Sequence, residues 1–382
     1  MSSKKTEPSF SFPRPDQPSR CTWAPDADPA DNPHTRKYPN PPNQYTLYPS
    51  ILHTIGNTPL VRLNVIPKEE GVQCQMYAKC EFLNPSGSLK DRAAWRMIED
   101  AEATGVLKPG YTIVEPSSGN TGIGLALAAA VKGYKMVVVM PLKMSKEKVY
   151  TMKALGARII RTPNDKSFDH PQGMIAGAHR IASQMKNAVV LDQFRNPNNP
   201  LSHYETTGEE ILRDTGGKVD MIVLGCGTGG GATGIGRKIK EKCPSCKLVG
   251  ADPWGSILAQ PQSLNDVPEN QISANEVEGI GYSFCATTCD RSVIDQWGKC
   301  GDKEAFLMAR RLIKSEGLLV GGSSGTAMHI ACQAAKSLRP DQVCVVILPD
   351  GIRNYLTKFA SDEWMVEKGF LEESGDLEEL IQ

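Results

Sequence analysis

Lys90 stands in the run Asn84-Pro85-Ser86-Gly87-Ser88-Leu89-Lys90-Asp91-Arg92, with small residues before it and helix-forming residues after it. A lysine in a partly desolvated pocket at a helix start has its pKa pushed down, and the neutral amine that results can form a Schiff base. Taken alone, a lysine is most often a solvated surface charge, so its company matters. Three glycine-rich turns follow: Glu115-Pro116-Ser117-Ser118-Gly119-Asn120-Thr121-Gly122, then Gly225 to Gly231, then Gly321-Gly322-Ser323-Ser324-Gly325-Thr326. Bare backbone amides and hydroxyls at the start of a helix bind carboxylate or phosphate. The second turn also satisfies the G-x-G-x-x-G pattern through Gly225, Gly227 and Gly230, and Asp252 follows after roughly 20 residues, as in a dinucleotide fold. A nicotinamide-dependent oxidoreductase is therefore a competing reading at this point.

The elements that must hold these turns alternate regularly. Helical patterns cover Ala93–Thr104, Thr121–Val131, Ser145–Leu155, Gly234–Lys242, Lys303–Lys314 and Thr326–Ser337. Short apolar strands cover Tyr111–Val114, Lys135–Met140, Ala157–Arg161, Val219–Leu224, Cys246–Ala251 and Val343–Leu348. Apolar strands separated by helices imply parallel sheets covered on both faces, with ligands at the carboxyl ends of the strands. The expectation is an α/β chain of two parallel-sheet, three-layer domains with a cofactor cleft between them, plus an irregular N-terminal segment.

Composition narrows the class. The chain has 382 residues, 43 Lys+Arg against 43 Asp+Glu, and 11 cysteines spread along its length. A neutral balance excludes nucleic-acid binding through a broadly basic surface. The longest apolar run, Ile123–Val131, is too short to span a membrane, and Met1–Arg20 lacks the apolar centre of a signal peptide. Scattered cysteines without an export signal read as reduced thiols of a cytoplasmic protein. The first 42 residues are dense in proline, from Pro8 to Pro42, which reads as a disordered tail, although Cys21, Trp23 and His34 are unusual in a merely solvating segment. Cys243-Pro244-Ser245-Cys246 is a C-x-x-C, read as a redox pair or as two ordinary cysteines at a helix end.

Ser-Leu-Lys-Asp-Arg at 88–92, Ser-Gly-Asn-Thr-Gly at 118–122 and Gly-Thr-Gly-Gly at 227–230, in this order, resemble the tryptophan-synthase-β-like family of pyridoxal-phosphate enzymes, fold type II. Within it the match is nearest to the haem-containing animal branch that joins L-serine to L-homocysteine. That match runs from about Arg20 to Leu371 and includes Ala78–Phe82, Arg96–Glu102, Glu276–Tyr282, Leu348–Asp350 and Asn354–Phe359. The resemblance implies that Lys90 holds pyridoxal 5'-phosphate as a Schiff base and then serves as general acid and base. It implies that Asn120 meets the cofactor's ring hydroxyl, that Gly227, Thr228, Gly229, Gly230 and Gly231 wrap its phosphate, and that Ser323 faces its pyridine nitrogen. Ser117, Ser118, Gly119, Thr121 and Gln193 would take the substrate carboxylate, and Glu278 and Tyr282 would line the mouth and help admit the second substrate. Two departures stand out: Gly231 replaces a common Thr, and Phe194 stands where relatives can have Tyr.

The same resemblance assigns Cys21 and His34 as the axial ligands of haem b, Arg237 as the cation paired with the ligating thiolate, and Cys243 with Cys246 as a redox pair. The implied reaction is replacement of the serine hydroxyl by the homocysteine thiol, giving L-cystathionine and water, with hydrogen sulfide formation from cysteine alongside it. It serves amino-acid biosynthesis by transsulfuration in a cytoplasmic homodimer, with no nucleic-acid or membrane partner. The domain expectation becomes residues 1–44 as the haem segment, 45–86 with 191–382 as the larger phosphate-binding domain, and 87–190 as the smaller carboxylate-binding domain. A cysteine synthase of the same fold, using O-acetylserine and sulfide, is the nearest alternative. The acidic stretch from Glu372 to Glu379 leaves no room before Gln382 for C-terminal regulatory modules.

Overall fold

Two parallel sheets organise the molecule, a computed structural model that describes residues 28, 47–164, 166, 169–266 and 276–372. The strands are β1 (Leu60–Arg62), β2 (Gln75–Cys80), β3 (Thr112–Pro116), β4 (Lys135–Pro141), β5 (Arg158–Thr162), β6 (Ala188–Val189), β7 (Met221–Gly225), β8 (Lys247–Pro253), β9 (Gln296–Cys300) and β10 (Val343–Leu348). One sheet has the order β1-β2-β10-β7-β8-β9 and the other β5-β4-β3-β6. Only β1 runs antiparallel, pairing Val61 with Ala78. Thus the six-stranded sheet takes its strands from both ends of the described chain, and the four-stranded sheet takes its strands from the stretch between them.

The central strands show why the pattern folds this way. In β10, Cys344, Val346 and Leu348 enter one core while Val345 and Ile347 enter another. In β4, Met136, Val138 and Met140 face one core and Val137 and Val139 the other. A strand buried on both faces must be apolar at every position, which is what these runs provide. Helices cover the faces: Lys90–Ala103, Asn120–Lys132, Lys146–Ala154 and Met174–Gln184 beside the smaller sheet, and Gly230–Lys242, Asp302–Glu316 and Gly322–Ala334 beside the larger.

Each helix and strand expected from the sequence is present, with ends shifted by a few residues. Several elements were not expected. β2 and β9 carry Lys79 and Lys299, whose charges hide a strand pattern, and both lysines are buried against carboxylates. The helical stretch 198–214 contains a π-turn over His203–Thr207 and shows no clean period. Among the described residues no helix is long and apolar enough to cross a membrane.

Candidate active site

Three strand ends and one buried ionic cluster bring the site together. β2 ends at Cys80, and the chain then turns through residues 81–89 into the helix that begins with Lys90. Arg92 fixes that helix. Its guanidinium meets Glu81 at 2.8 Å and Glu210 at 2.6 Å, and Lys79 Nζ reaches Glu210 Oε2 at 2.6 Å. Two cations against two anions make a neutral cluster, the form in which buried charge is tolerated. Asp91 takes the Ser86 backbone N–H at 2.7 Å and the Ser86 hydroxyl as well. Leu89 N donates to Pro349 O at 2.9 Å, so the segment after β10 holds Lys90 from the other side.

Lys90, Ser117, Ser118, Asn120, Thr121, Gln193, Gly227, Thr228, Gly229, Gly231, Tyr282 and Ser323 line a single cleft with about 790 Å³ of empty space, mouth included. Burial pulls the Lys90 ammonium down to about 8, with Asp350 and Cys226 opposing the shift. A lysine held there yields its neutral amine far more readily than a solvated lysine, which is what Schiff-base formation draws on.

The second glycine turn opens the 13-residue helix Gly230–Lys242. Its glycines are required by close neighbours. A Cβ on Gly227 would lie 2.3 Å from Gly279 O, one on Gly229 2.2 Å from Cys289 Cβ, and one on Gly230 2.1 Å from Asn199 Oδ1. Gly229 also has φ +79°, a conformation that disfavours any side chain. Gly231 is different: a Cβ there meets nothing nearer than Leu89 Cδ1 at 3.5 Å. Asn199 supports the loop by donating to Thr228 Oγ1 at 3.0 Å. His203, missed in the sequence, lies behind it; burial first, then Lys90, drives its pKa down to about 3, so it is neutral.

The first turn is equally built. Ser117 Oγ accepts from Gly119 N at 3.1 Å and Gly122 N at 2.9 Å, capping the helix Asn120–Lys132. Thr121 Oγ1 donates to Gln193 Oε1 at 2.6 Å, and Gln193 Nε2 donates to Pro116 O at 2.9 Å. Glu115, pushed up to about 8 by burial, accepts the Gln193 backbone N–H. The Ser118 hydroxyl bonds Tyr282.

A chain of side chains that the motifs did not reveal links the floor of the cleft to its mouth. Asn120 Nδ2 donates to Asp350 Oδ2 at 2.8 Å, and Tyr355 OH donates to the same oxygen at 2.5 Å. Lys148 Nζ donates to Tyr355 OH at 3.1 Å and to Glu278 Oε2 at 2.7 Å, and Lys358 Nζ takes Glu278 Oε1 at 2.6 Å. Burial pushes the Glu278 carboxyl up, but the two ammonium groups outweigh it and hold it below the usual range. Glu278 lines an adjoining cavity of about 930 Å³ that shares Ser118 and Tyr282 with the cleft. Asp350 had one available signal, its place just past the end of β10, where ligands collect in such sheets. Tyr355 lies in the matching segment Asn354–Phe359, which carried no role for it, and Lys148 had no signal, being remote in sequence from the glycine turns.

Some expected residues lie elsewhere. Asp252, the acidic partner in the dinucleotide reading, is fully buried and bound to Lys299 Nζ at 2.8 Å, and it does not line the cleft. That reading is therefore set aside, because its carboxylate is engaged within the β8–β9 pair. Phe194 is wholly buried and meets Tyr282 edge-on at 5.8 Å, so it packs under the mouth. Cys243 and Cys246 are free thiols with separate partners: Cys243 Sγ donates to Gly217 O at 3.1 Å, and burial pushes Cys246 up to about 12. Arg237 lies on the helix after the cradle and pairs with Asp290 at 3.1 Å. Cys21 and His34 fall outside the described residues.

Pyridoxal phosphate fits what is present. A lysine whose ammonium is weakened by burial stands beside open amides at a helix start, with an amide, a hydroxyl and a second helix-start turn around them.

A family model described as pyridoxal-phosphate dependent enzyme matches residues 51–350. Cystathionine β-synthase of Rattus norvegicus is 56% identical over 359 residues, covering 94% of this chain and 63% of that protein. The Apis mellifera cystathionine β-synthase is 53% identical over 362 residues, covering 94% of this chain and 70% of that protein. The crystal structure of an O-acetylserine dependent cystathionine β-synthase from Helicobacter pylori matches with a TM-score of 0.75 at 35% identity, covering 82% of this chain and 99% of that one. The chain therefore spans just under two thirds of the rat protein's length. With the lysine, the anion turns and these likenesses in agreement, the chain belongs to the pyridoxal-phosphate dependent enzyme family and, within it, to the cystathionine β-synthases.

Proposed function

We propose that this chain replaces the hydroxyl of L-serine by the thiol of L-homocysteine, giving L-cystathionine and water. The observation that carries the reading is Lys90, held near 8 in a cleft that also receives both anion-binding turns. Identity of 53–56% with curated cystathionine β-synthases supports the choice of substrates.

Bound pyridoxal phosphate supplies the electron sink for charge that develops at the substrate Cα. Lys90 would hold the group, and its neutral amine would accept the Cα proton of the bound serine. The resulting ammonium is then placed to protonate the departing hydroxyl, so that water leaves. The Ser118 hydroxyl and the Thr121 backbone amide take the substrate carboxylate, aided by the positive end of the helix Asn120–Lys132, while the Gly119 N–H and the Thr121 hydroxyl hold the turn through Ser117 and Gln193. Gln193, locked by Thr121 and Pro116, fixes the width of that turn. Gly227 to Gly231 and Thr228 hold the phosphate. Asn120, with one amide hydrogen on Asp350, has a second that would serve the cofactor's ring hydroxyl. Ser323, which lines the cleft, would pair its hydroxyl with the ring nitrogen. Glu278 and Tyr282 border the mouth, where homocysteine enters.

The proposal includes haem b on Cys21 and His34 and a homodimer in the cytoplasm. The donor set suits the group, since thiolate and imidazole are both axial ligands of haem iron. Arg237 would favour the thiolate, and a guanidinium with five N–H donors can serve Asp290 and a second anion together. The proposed division into 45–86 with 191–382, and 87–190, is supported by the distribution of strands between the two sheets.

Purified protein assayed with serine plus homocysteine, in parallel with O-acetylserine plus sulfide, tests the reading. Cystathionine as the faster product supports it; cysteine as the sole product overturns it in favour of a cysteine synthase.

A further inference from the structure

Beyond Tyr282 the chain carries two cysteines that the proposed reaction does not use. Cys285 is half-buried and Cys289 is buried. A turn closes between them, with Cys289 N donating to Ala286 O at 2.9 Å, and Cys285 Sγ lies 3.9 Å from Cys289 O. The Cys289 thiol hydrogen-bonds the Cys285 sulfur; against the effect of burial, and with Arg291 nearby, this draws Cys285 down to about 7. Such a thiol is substantially thiolate near neutral pH, the form that reacts with oxidants. Burial pushes the thiols of Cys80 and Cys246 up to about 12, so they do not compete.

The same turn is fastened to the phosphate cradle. Thr288 Oγ1 donates to Thr228 O at 2.7 Å, Thr233 Oγ1 donates to Thr288 O at 2.8 Å, and Asp290 N donates to Thr233 Oγ1 at 2.8 Å. Cys289 sits directly against Gly229, whose missing Cβ would fall 2.5 Å from Cys289 Sγ. There is no slack between the sulfur and the loop.

We propose that Cys285 and Cys289 are an oxidation site for peroxides, and that closing their disulfide distorts the cradle through Gly229 and Thr228. The second half rests on the reading of that loop as the phosphate site. The Cys285 thiolate attacks the O–O bond of hydrogen peroxide and becomes a sulfenic acid, while the hydroxide released takes a proton to form water. The Cys289 thiol then attacks that sulfur, the S–O bond breaks, and a second water leaves. Two thiols and one peroxide thus give one disulfide and two waters. An S–S bond of about 2.05 Å demands that the sulfurs close from hydrogen-bonding distance. Cys289 cannot make that movement without disturbing its contact with Gly229.

The test treats the cofactor-loaded full chain with hydrogen peroxide and maps its thiols by alkylation and peptide mass. The expected result is a peptide lighter by two hydrogens, with Cys285 and Cys289 both protected. Cofactor release should be roughly tenfold faster, the size of effect expected from losing one cradle hydrogen bond, and should return to normal with a dithiol reductant. Cys285→Ser should resist the treatment, whereas the double variant Cys243→Ser, Cys246→Ser should remain sensitive. Free Cys285 and Cys289 in peroxide-inactivated protein, or a closed disulfide with unchanged cofactor release, would overturn the proposal. A chain that binds no cofactor fails the reading of the cleft instead, and the thiol map still decides the pair.

Discussion

Lys148 Nζ lies 2.7 Å from Glu278 Oε2, and both side chains are almost wholly buried. Their pairing ties the helix Lys146–Ala154, beside the four-stranded sheet, to the loop that borders the mouth. Removal of one partner leaves an uncompensated buried charge, which costs about 3–5 kcal/mol. Lys358 also serves Glu278, so the loss in Lys148→Met is expected at the lower end of that range. Urea unfolding of the variant against wild type measures it, and an unchanged midpoint would show that the pair contributes nothing.

Lys90→Ala is expected to abolish covalent cofactor attachment and to lower turnover by about 10²–10⁴-fold or more, the range for loss of a general acid–base group. Absorbance of the purified variant and a cystathionine assay read the two effects.

The pH dependence of Lys90 has a definite sign. Burial lowers it from the ordinary 10.5 to about 8, so the folded chain binds fewer protons than the unfolded chain between those values. The cost of burying the amine is complete below pH 8 and disappears as pH rises towards 10.5. Cofactor-free wild type should therefore gain stability relative to Lys90→Met across that window. Its rate of covalent cofactor capture should rise with a midpoint near 8.

Gly230 and Gly231 are neighbours with opposite expectations. Gly230→Ala drives a methyl into Asn199, which supports Thr228, and should weaken cofactor retention. Gly231→Thr meets no clash at its Cβ and would add a hydroxyl donor to the turn. A hydrogen bond to a charged group adds about 1.5–3 kcal/mol, so the cofactor dissociation constant should fall roughly tenfold or more. Equilibrium dialysis of both variants compares them directly.

Deletion of residues 1–42 should remove the Soret band and leave the aldehyde cofactor bound to Lys90. A Soret band that survives the deletion would place the haem elsewhere.

Much of this protein was legible in its sequence because the signals are local. A strand buried on both faces must read as continuous apolar residues, as Val343–Leu348 does. A turn packed as closely as Gly225–Gly231 needs glycine wherever a neighbour leaves no space for a Cβ, and the lysine motif 88–92 is contiguous. Tertiary structure alone decided how remote charges are used. Lys79 and Lys299 interrupt two strand patterns with charge, yet each is buried against a carboxylate supplied from another part of the chain. Asp252 satisfied a dinucleotide spacing, but its partner is Lys299, 47 residues away. Lys148, Tyr355 and Asp350 form one hydrogen-bonded run only because the helix 146–154 packs beside the segment that follows β10. Spacing along the chain reports what one helix turn or one strand can align; it carries no record of which distant charge will neutralise a buried one.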